Sequence, residues 1–167
     1  MDYRLAAVAL IAAAVVPAQA AVVVTHGDPD RFTDAGDRSN DPVKVMQTLQ
    51  DHLIRLGERF LPSGTDVRIE VRDLDRAGRP RMNLPTEIRV VSGKADMPCI
   101  ELRYEVETAG SVSPSRLERV CDPEYLRSLE PEYSPNDPLA YEKRMLEEWF
   151  KARFGRASSA ARARLPR

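Results

Sequence analysis

Two segments of the chain alternate apolar and charged residues, and this pattern limits the fold more than any other feature. Val67, Ile69 and Val71 alternate with arginine and glutamate, and the same alternation runs through residues 100–106. Successive side chains of a β-strand point to opposite faces, so each segment must bury one face and leave the other in water. The sequence therefore predicts a sheet that is covered on one side only.

Helices are expected to cover that sheet. Residues 40–42 (Asn-Asp-Pro) are typical of a helix start, because a side chain that can cap the first turn precedes a proline. Apolar residues then recur at steps of three and four up to Phe60, which indicates an amphipathic helix. Residues 136–138 repeat the start signal before a second amphipathic segment that stops at Gly155, and a short helix is predicted after Asp122.

Further strands are predicted at Ala21–Thr25, around Ile88 and Val90, and over Val112–Cys121, with a loop at 73–85. The element order becomes β-α-β-β-β-β-α-α. It predicts the α+β class, as a two-layer sandwich with helices packed on one face of a single, mostly antiparallel sheet.

The first twenty residues have the features of a cleavable signal peptide. Leu5–Val16 is an unbroken apolar run, and small residues at Ala18 and Ala20 follow Pro17. As a helix the run spans about 18 Å, well short of the roughly 30 Å of a bilayer core, which argues against a membrane anchor. We expect cleavage after Ala20 and export to the periplasm. The mature chain would have no transmembrane anchor and would consist of one domain (21–154) and a disordered basic tail (155–167).

Cys99 and Cys121 flank the predicted hairpin whose turn lies at 108–111. Folding that hairpin brings them nearly opposite each other, and an oxidising compartment favours a disulfide. The alternative is two unpaired thiols, one of which could be reactive. The register of the turn decides between the two.

Two groups of acidic residues are candidates for chemistry. The 26–37 loop offers five ligands to a weak metal site, although their spacing does not match an EF-hand and turn chemistry produces the same composition. These residues are His26, Asp28, Asp30, Asp34 and Asp37. Asp73 and Asp75 follow a strand and would point to one side, as the paired carboxylates of a small hydrolase do, but such residues also cap turns.

Other recognisable enzyme signatures are missing from the sequence. It contains no nucleophile elbow, phosphate-binding loop, dinucleotide fingerprint or zinc-type spacing, and only two histidines. His52, at the edge of the first helix, is expected to be partly buried. We therefore predict no catalytic residue, no cofactor and no metal, and we do not expect nucleic-acid binding from an exported chain without an aromatic platform.

The exposed sheet face is the candidate interaction surface. Its predicted arginines are Arg68, Arg72, Arg89 and Arg103. They could contact a charged partner, an envelope protein or an acidic polymer, and the basic tail could do the same. The alternative is an ordinary solvated face whose charges pair across strands.

Four segments resemble one protein family. They are 32–36 (Phe-Thr-Asp-Ala-Gly), 71–78 (Val-Arg-Asp-Leu-Asp-Arg-Ala-Gly), 100–104 (Ile-Glu-Leu-Arg-Tyr) and 138–150 (Pro-Leu-Ala-Tyr-Glu-Lys-Arg-Met-Leu-Glu-Glu-Trp-Phe). Together they are similar to a family of uncharacterised proteobacterial periplasmic proteins, the domain of unknown function DUF3016, over about residues 22–154. The resemblance implies an exported, single-domain protein and implies no catalytic or ligand residue.

These observations favour a non-catalytic periplasmic binding or accessory protein that acts through an envelope partner. The alternative is a small periplasmic hydrolase that uses Asp73 and Asp75, or a metal bound by the 26–37 loop.

Overall fold

The computed structural model describes residues 20–37, 40–81, 88–127, 133 and 137–155. The predicted signal peptide and most of the predicted tail lie outside these residues. The described strands and helices are β1 (Ala21–His26), α1 (Pro42–Phe60), β2 (Thr65–Asp75), β3 (Arg79–Arg81), β4 (Ile88–Val90), β5 (Cys99–Thr108), β6 (Ser111–Val112), β7 (Arg116–Cys121) and α2 (Ala140–Phe150). A π-helical turn, Lys151–Gly155, extends α2.

The main sheet is mixed. Its order is β1-β2-β5, and β6 and β7 both pair with the free side of β5. The pair β1–β2 is parallel, and the other pairs are antiparallel. Parallel neighbours need a crossover connection, which α1 supplies. The predicted α+β class and mostly antiparallel sheet are confirmed.

The alternating residues behave as the sequence predicts. Val67, Ile69 and Val71 are buried, whereas the charged residues between them face outward. Both helices and two further strands, β1 and β5, contribute to the same core on the covered side, with Val24, Leu49, Leu53, Leu102, Leu146 and Phe150. On that side α1 approaches β1 so closely that a Cβ atom at Gly57 would lie 2.1 Å from Cγ2 of Val22. No helix in these residues combines the length and apolar character of a membrane span.

A bulge changes the phase of β2. The β2–β5 register shifts between Val71 and Asp73, so one extra residue of β2 faces β5. Arg72 is exposed, Asp73 and Asp75 are half-buried, and Leu74 between them is fully buried. The bulge therefore keeps Leu74 in the core and places both aspartates on the outer side of the strand.

Two predicted elements are wrong. The 73–85 segment is not a continuous loop, because β2 runs to Asp75 and β3 pairs with β4 in a separate two-stranded sheet. After Asp122 there is a turn and no helix over the described residues; the Asp122 carboxylate accepts a hydrogen bond from the amide of Glu124.

The cysteine hairpin is confirmed. Ala109 and Gly110 form a two-residue turn with φ of 51° and 77°, the left-handed conformation that suits a tight hairpin. Continued along the strands, this register would place Cys99 opposite Val120. One extra residue between β6 and β7 shifts the pairing, so that Cys99 lies directly opposite Cys121 with their Cα atoms 4.2 Å apart, and the two form a disulfide.

Candidate binding cavity and buried charge cluster

A cavity of about 580 Å³ opens where β2 ends. We call it the Asp75 cavity. It is lined by Thr33, Asp34, Asp75, Arg76, Gly78, Arg79, Pro80, Ala95, Asp96, Met97, Cys99 and Arg119. Its volume is within the range of small-ligand sites.

The segment after β1 forms one wall by attaching to the end of β2. The amide of Asp34 donates to the carbonyl of Leu74 at 2.7 Å, and Asp34 forms a single parallel bridge with Asp75. The amide and hydroxyl of Thr33 both donate to the Asp73 carboxylate, each at 2.7 Å. These contacts hold residues that are forty positions apart in sequence against each other.

The two β2 aspartates have opposite electrostatic environments. Partial burial, with the neighbouring Asp34 carboxylate as the next cause, raises the pKa of Asp75. Partial burial also acts to raise the pKa of Asp73, but the two hydrogen bonds from Thr33 outweigh it and the pKa lies below its usual value. At neutral pH, the Asp73 carboxylate is therefore ionised, and both of its oxygens accept hydrogen bonds from Thr33. The carboxyl of Asp75 has no hydrogen-bond donor among the described residues.

Two arginines at the cavity are unpaired. Arg79 on β3 and Arg119 on β7 are exposed, and within the described ranges neither forms a hydrogen bond or salt bridge. The third lining arginine, Arg76, is fully buried and pairs with Asp37 at 3.2 Å. The cavity therefore presents two open guanidinium groups beside one open carboxyl group.

A buried charge cluster supports the cavity from behind. Asp37 pairs with both Arg76 and Arg89, each at 3.2 Å, and Arg89 also pairs with Asp34. Arg89 donates to the carbonyls of Ala77 and Gly78 at 3.0 and 2.8 Å. Two arginines thus balance two aspartates. The second sheet is tied to the end of β2 through these contacts.

Helix α2 joins this cluster through Glu142. One oxygen of its carboxyl accepts a hydrogen bond from the amide of Ala77 at 2.7 Å, and the other has no partner among the described residues. Burial raises the pKa of Glu142. Burial therefore favours the neutral form of this carboxyl group, whereas the hydrogen bond from Ala77 and the charges of Arg76 and Arg89 favour its ionised form.

The comparison with family models assigns the chain. Residues 20–152 match the model described as Protein of unknown function (DUF3016). The chain belongs to this family. Every residue that lines the Asp75 cavity lies within the matched part of this DUF3016 member. No curated protein matches the chain.

Three of the four predicted surface arginines lie on the uncovered face. Arg68 pairs with Glu107 at 3.0 Å and Arg72 with Glu70 at 2.8 Å. Arg103 approaches Glu70 at 3.8 Å. Since each already has a carboxylate on the same face, this part of the surface is internally neutralised.

The placement predicted for Arg89 is wrong. It lies on β4 in the second sheet and not on the main sheet, with its side chain only 14% exposed. The carboxylates of Asp34 and Asp37 and two backbone carbonyls hold it there, so it is a structural residue.

The residues proposed for a metal site do not converge on one point, although Asp34 and Asp37 meet on Arg89. Asp28 caps a short 3₁₀ turn, whereas Asp34 and Asp37 bind arginines. His26 contacts the carbonyl of Gly27 at 2.6 Å. No group of three potential metal ligands occurs in the part of the chain that the structure describes.

His52 links the two helices. Its Nε2 is 2.9 Å from the carbonyl oxygen of Lys143, and burial lowers its pKa. The neutral ring therefore donates to that carbonyl across the α1–α2 interface, as a core histidine does.

Proposed function

We propose that the protein is exported to the periplasm and acts there as a non-catalytic binding or accessory protein. It would engage an acidic group of an envelope partner at the Asp75 cavity. The observation that carries this proposal is the pair Arg79 and Arg119, two exposed guanidinium groups that share a cavity and form no hydrogen bond or salt bridge with the described residues, although their charges act on Asp75.

Arginine suits this role because its planar group donates two parallel hydrogen bonds to a carboxylate or phosphate. The arginines of the sheet face are already paired with Glu70 and Glu107, so an acidic partner gains less from them. The acidic group is therefore expected at the cavity, with the sheet face as the adjoining surface.

Two features support export. A disulfide between Cys99 and Cys121 is typical of proteins from oxidising compartments. In addition, the amide nitrogen of Ala21 is 3.0 Å from a carboxylate oxygen of Asp66. Cleavage after Ala20 would turn that amide into an ammonium group and the hydrogen bond into an ion pair. The intact mass of protein from the periplasm tests this: a chain that begins at Ala21 agrees with the proposal, and a retained N-terminus contradicts it.

Capture of the tagged mature protein from periplasm, with partners identified by mass spectrometry, tests the binding role. The double variant Arg79→Glu/Arg119→Glu should lose the partner. A matched control is Arg81→Glu/Arg116→Glu, which reverses one exposed arginine on each of the same two strands, β3 and β7, outside the cavity. Equal capture by both double variants would show that the cavity is not the binding site.

The opposite pKa shifts of Asp73 and Asp75 favour a second function, acid–base hydrolysis, because such pairs divide the roles of acid and base. Asp73, however, does not line the cavity and is occupied by Thr33. Hydrolysis of an envelope polymer that disappears in both Asp75→Asn and Asp73→Asn would establish this function in place of binding.

A further inference from the structure

The Asp75 cavity contains open groups of both charges, and this narrows the class of ligand. We infer that it binds an amino-acid-type zwitterion, whose carboxylate contacts Arg79 and Arg119 and whose ammonium contacts Asp75. This inference rests on the proposed function, since it concerns the same site. The proposed function concerns only an acidic group of the ligand, and this inference adds the recognition of its ammonium group.

The part of the cavity that would bind the ligand's carboxylate contains hydrogen-bond donors that the protein itself does not use. Arg79 and Arg119 form no hydrogen bond or salt bridge among the described residues, although the charges of both act on the Asp75 carboxyl group. Arg76, which also lines the cavity, is 1% exposed, and its Nε–H has no acceptor among the described residues. Buried donors of this kind are almost always satisfied in native proteins, by protein, water or ligand. A carboxylate in the cavity would supply acceptors to the exposed Arg79 and Arg119, but not to the Nε–H of Arg76, which is closed off from solvent.

The carboxyl group of Asp75 is the part of the cavity that would bind the ligand's ammonium group. It lies beside Asp34 on the bridge between the two segments, but the Asp34 carboxylate is already paired with Arg89. Asp75 thus accepts no hydrogen bond from the described residues, although the charges of Arg119 and Arg79 act on it without forming a salt bridge. An ammonium group has three donors and no acceptor, so it can bind Asp75 without adding a new unpaired oxygen.

The remaining wall suits a small side chain. Pro80, Ala95 and Met97 line this wall, together with Cys99, one half of the disulfide. A wall of this composition accommodates an aliphatic group between the charged ends of the ligand. A cavity of about 580 Å³ has room for an amino acid or a dipeptide.

The experiment compares three matched probes by calorimetry on the mature, oxidised protein: alanyl-alanine, its N-acetyl derivative and its C-terminal amide. The free dipeptide should bind about ten-fold or more tightly than either derivative, because each derivative removes one charge-assisted contact. In Asp75→Asn the free and N-acetylated dipeptides should bind alike. In Arg119→Gln both should weaken, whereas the control Arg116→Gln should match the unaltered protein.

The outcomes separate this inference from the proposed function. If the free and N-acetylated dipeptides bind equally and both depend on Arg119, the zwitterion is wrong and the acidic-group site stands. If no probe binds but partner capture still depends on Arg79 and Arg119, the small zwitterion is again wrong. If neither probe nor partner depends on these arginines, both proposals fail.

Discussion

Removing the Cys99–Cys121 disulfide should destabilise the fold by an amount that follows from its position. The bond closes a loop across a sequence separation of 22 residues. The loop-closure relation, −2.1 − 1.5R ln n, gives about −11 cal/mol/K for this length, or about 3.4 kcal/mol at 25 °C. Small domains are stable by only about 5–15 kcal/mol, so the reduced protein should fold but with a much smaller margin.

Urea unfolding of three samples measures this effect: the oxidised protein, the reduced protein and the double variant Cys99→Ala/Cys121→Ala. The midpoint should fall by about 1–3 M in both altered samples, given typical urea m-values. The m-value should rise, because the unfolded chain without a cross-link exposes more surface. Reductant should leave the double variant unchanged, which controls for effects of the reductant itself.

The difference between the reduced protein and the double variant separates the effect of loop closure from the effect of packing. Cys99 is buried, so its replacement by alanine adds a packing loss that reduction does not cause. The variant should therefore be slightly less stable than the reduced protein. A reduced protein within about 1 kcal/mol of the oxidised one would refute the loop-closure argument for this bond.

Three other changes test the buried contacts. Because the pKa of Glu142 is raised, the native state keeps a proton that the unfolded chain releases. Stability should therefore fall as pH rises from about 4.5 through the folded pKa. Glu142→Gln should remove this fall, which urea titrations at several pH values would measure. Asp37→Ala should cost about 3–5 kcal/mol in the same assay because it leaves a buried guanidinium unpaired, whereas Glu70→Ala on the exposed face should cost about 1 kcal/mol or less. Gly57→Ala should cost about 1–3 kcal/mol by overpacking against β1, and Val22→Ala should restore part of the loss; a variant melting at the original temperature would contradict that close contact.

Local patterns were enough to predict the layers of this fold. The alternation around Ile69 and Leu102 indicated which face is buried, and the proline-led starts at 40–42 and 136–138 indicated the helices. These signals depend on neighbours within one strand or one turn. For that reason they can be recognised without knowledge of the tertiary structure.

The cavity and its charge cluster depend on contacts between segments that are distant in the sequence, and no local pattern predicts such contacts. Arg89 reaches Asp37 because the second sheet lies at the end of β2, and Arg76 reaches it because the segment after β1 attaches to the same end. One signal was available for Glu142: it is three and seven positions before Met145 and Trp149, which places a carboxyl group on the apolar stripe of α2. A charged residue in phase with a buried stripe predicts a buried partner, although not which one.

The parallel pairing of β1 with β2 implies an order of assembly. β1 is the first described strand, yet each of its residues pairs with one that lies 45 positions later, beyond the whole of α1. In the exported protein that we propose, β1 would leave the translocation channel early and wait, unpaired, while the β5–β7 hairpin can close from local contacts alone. The peptide bond after Ala20 would remain accessible to a peptidase throughout that delay, and docking of β1 would then bury the edge of β2 as a late step in folding.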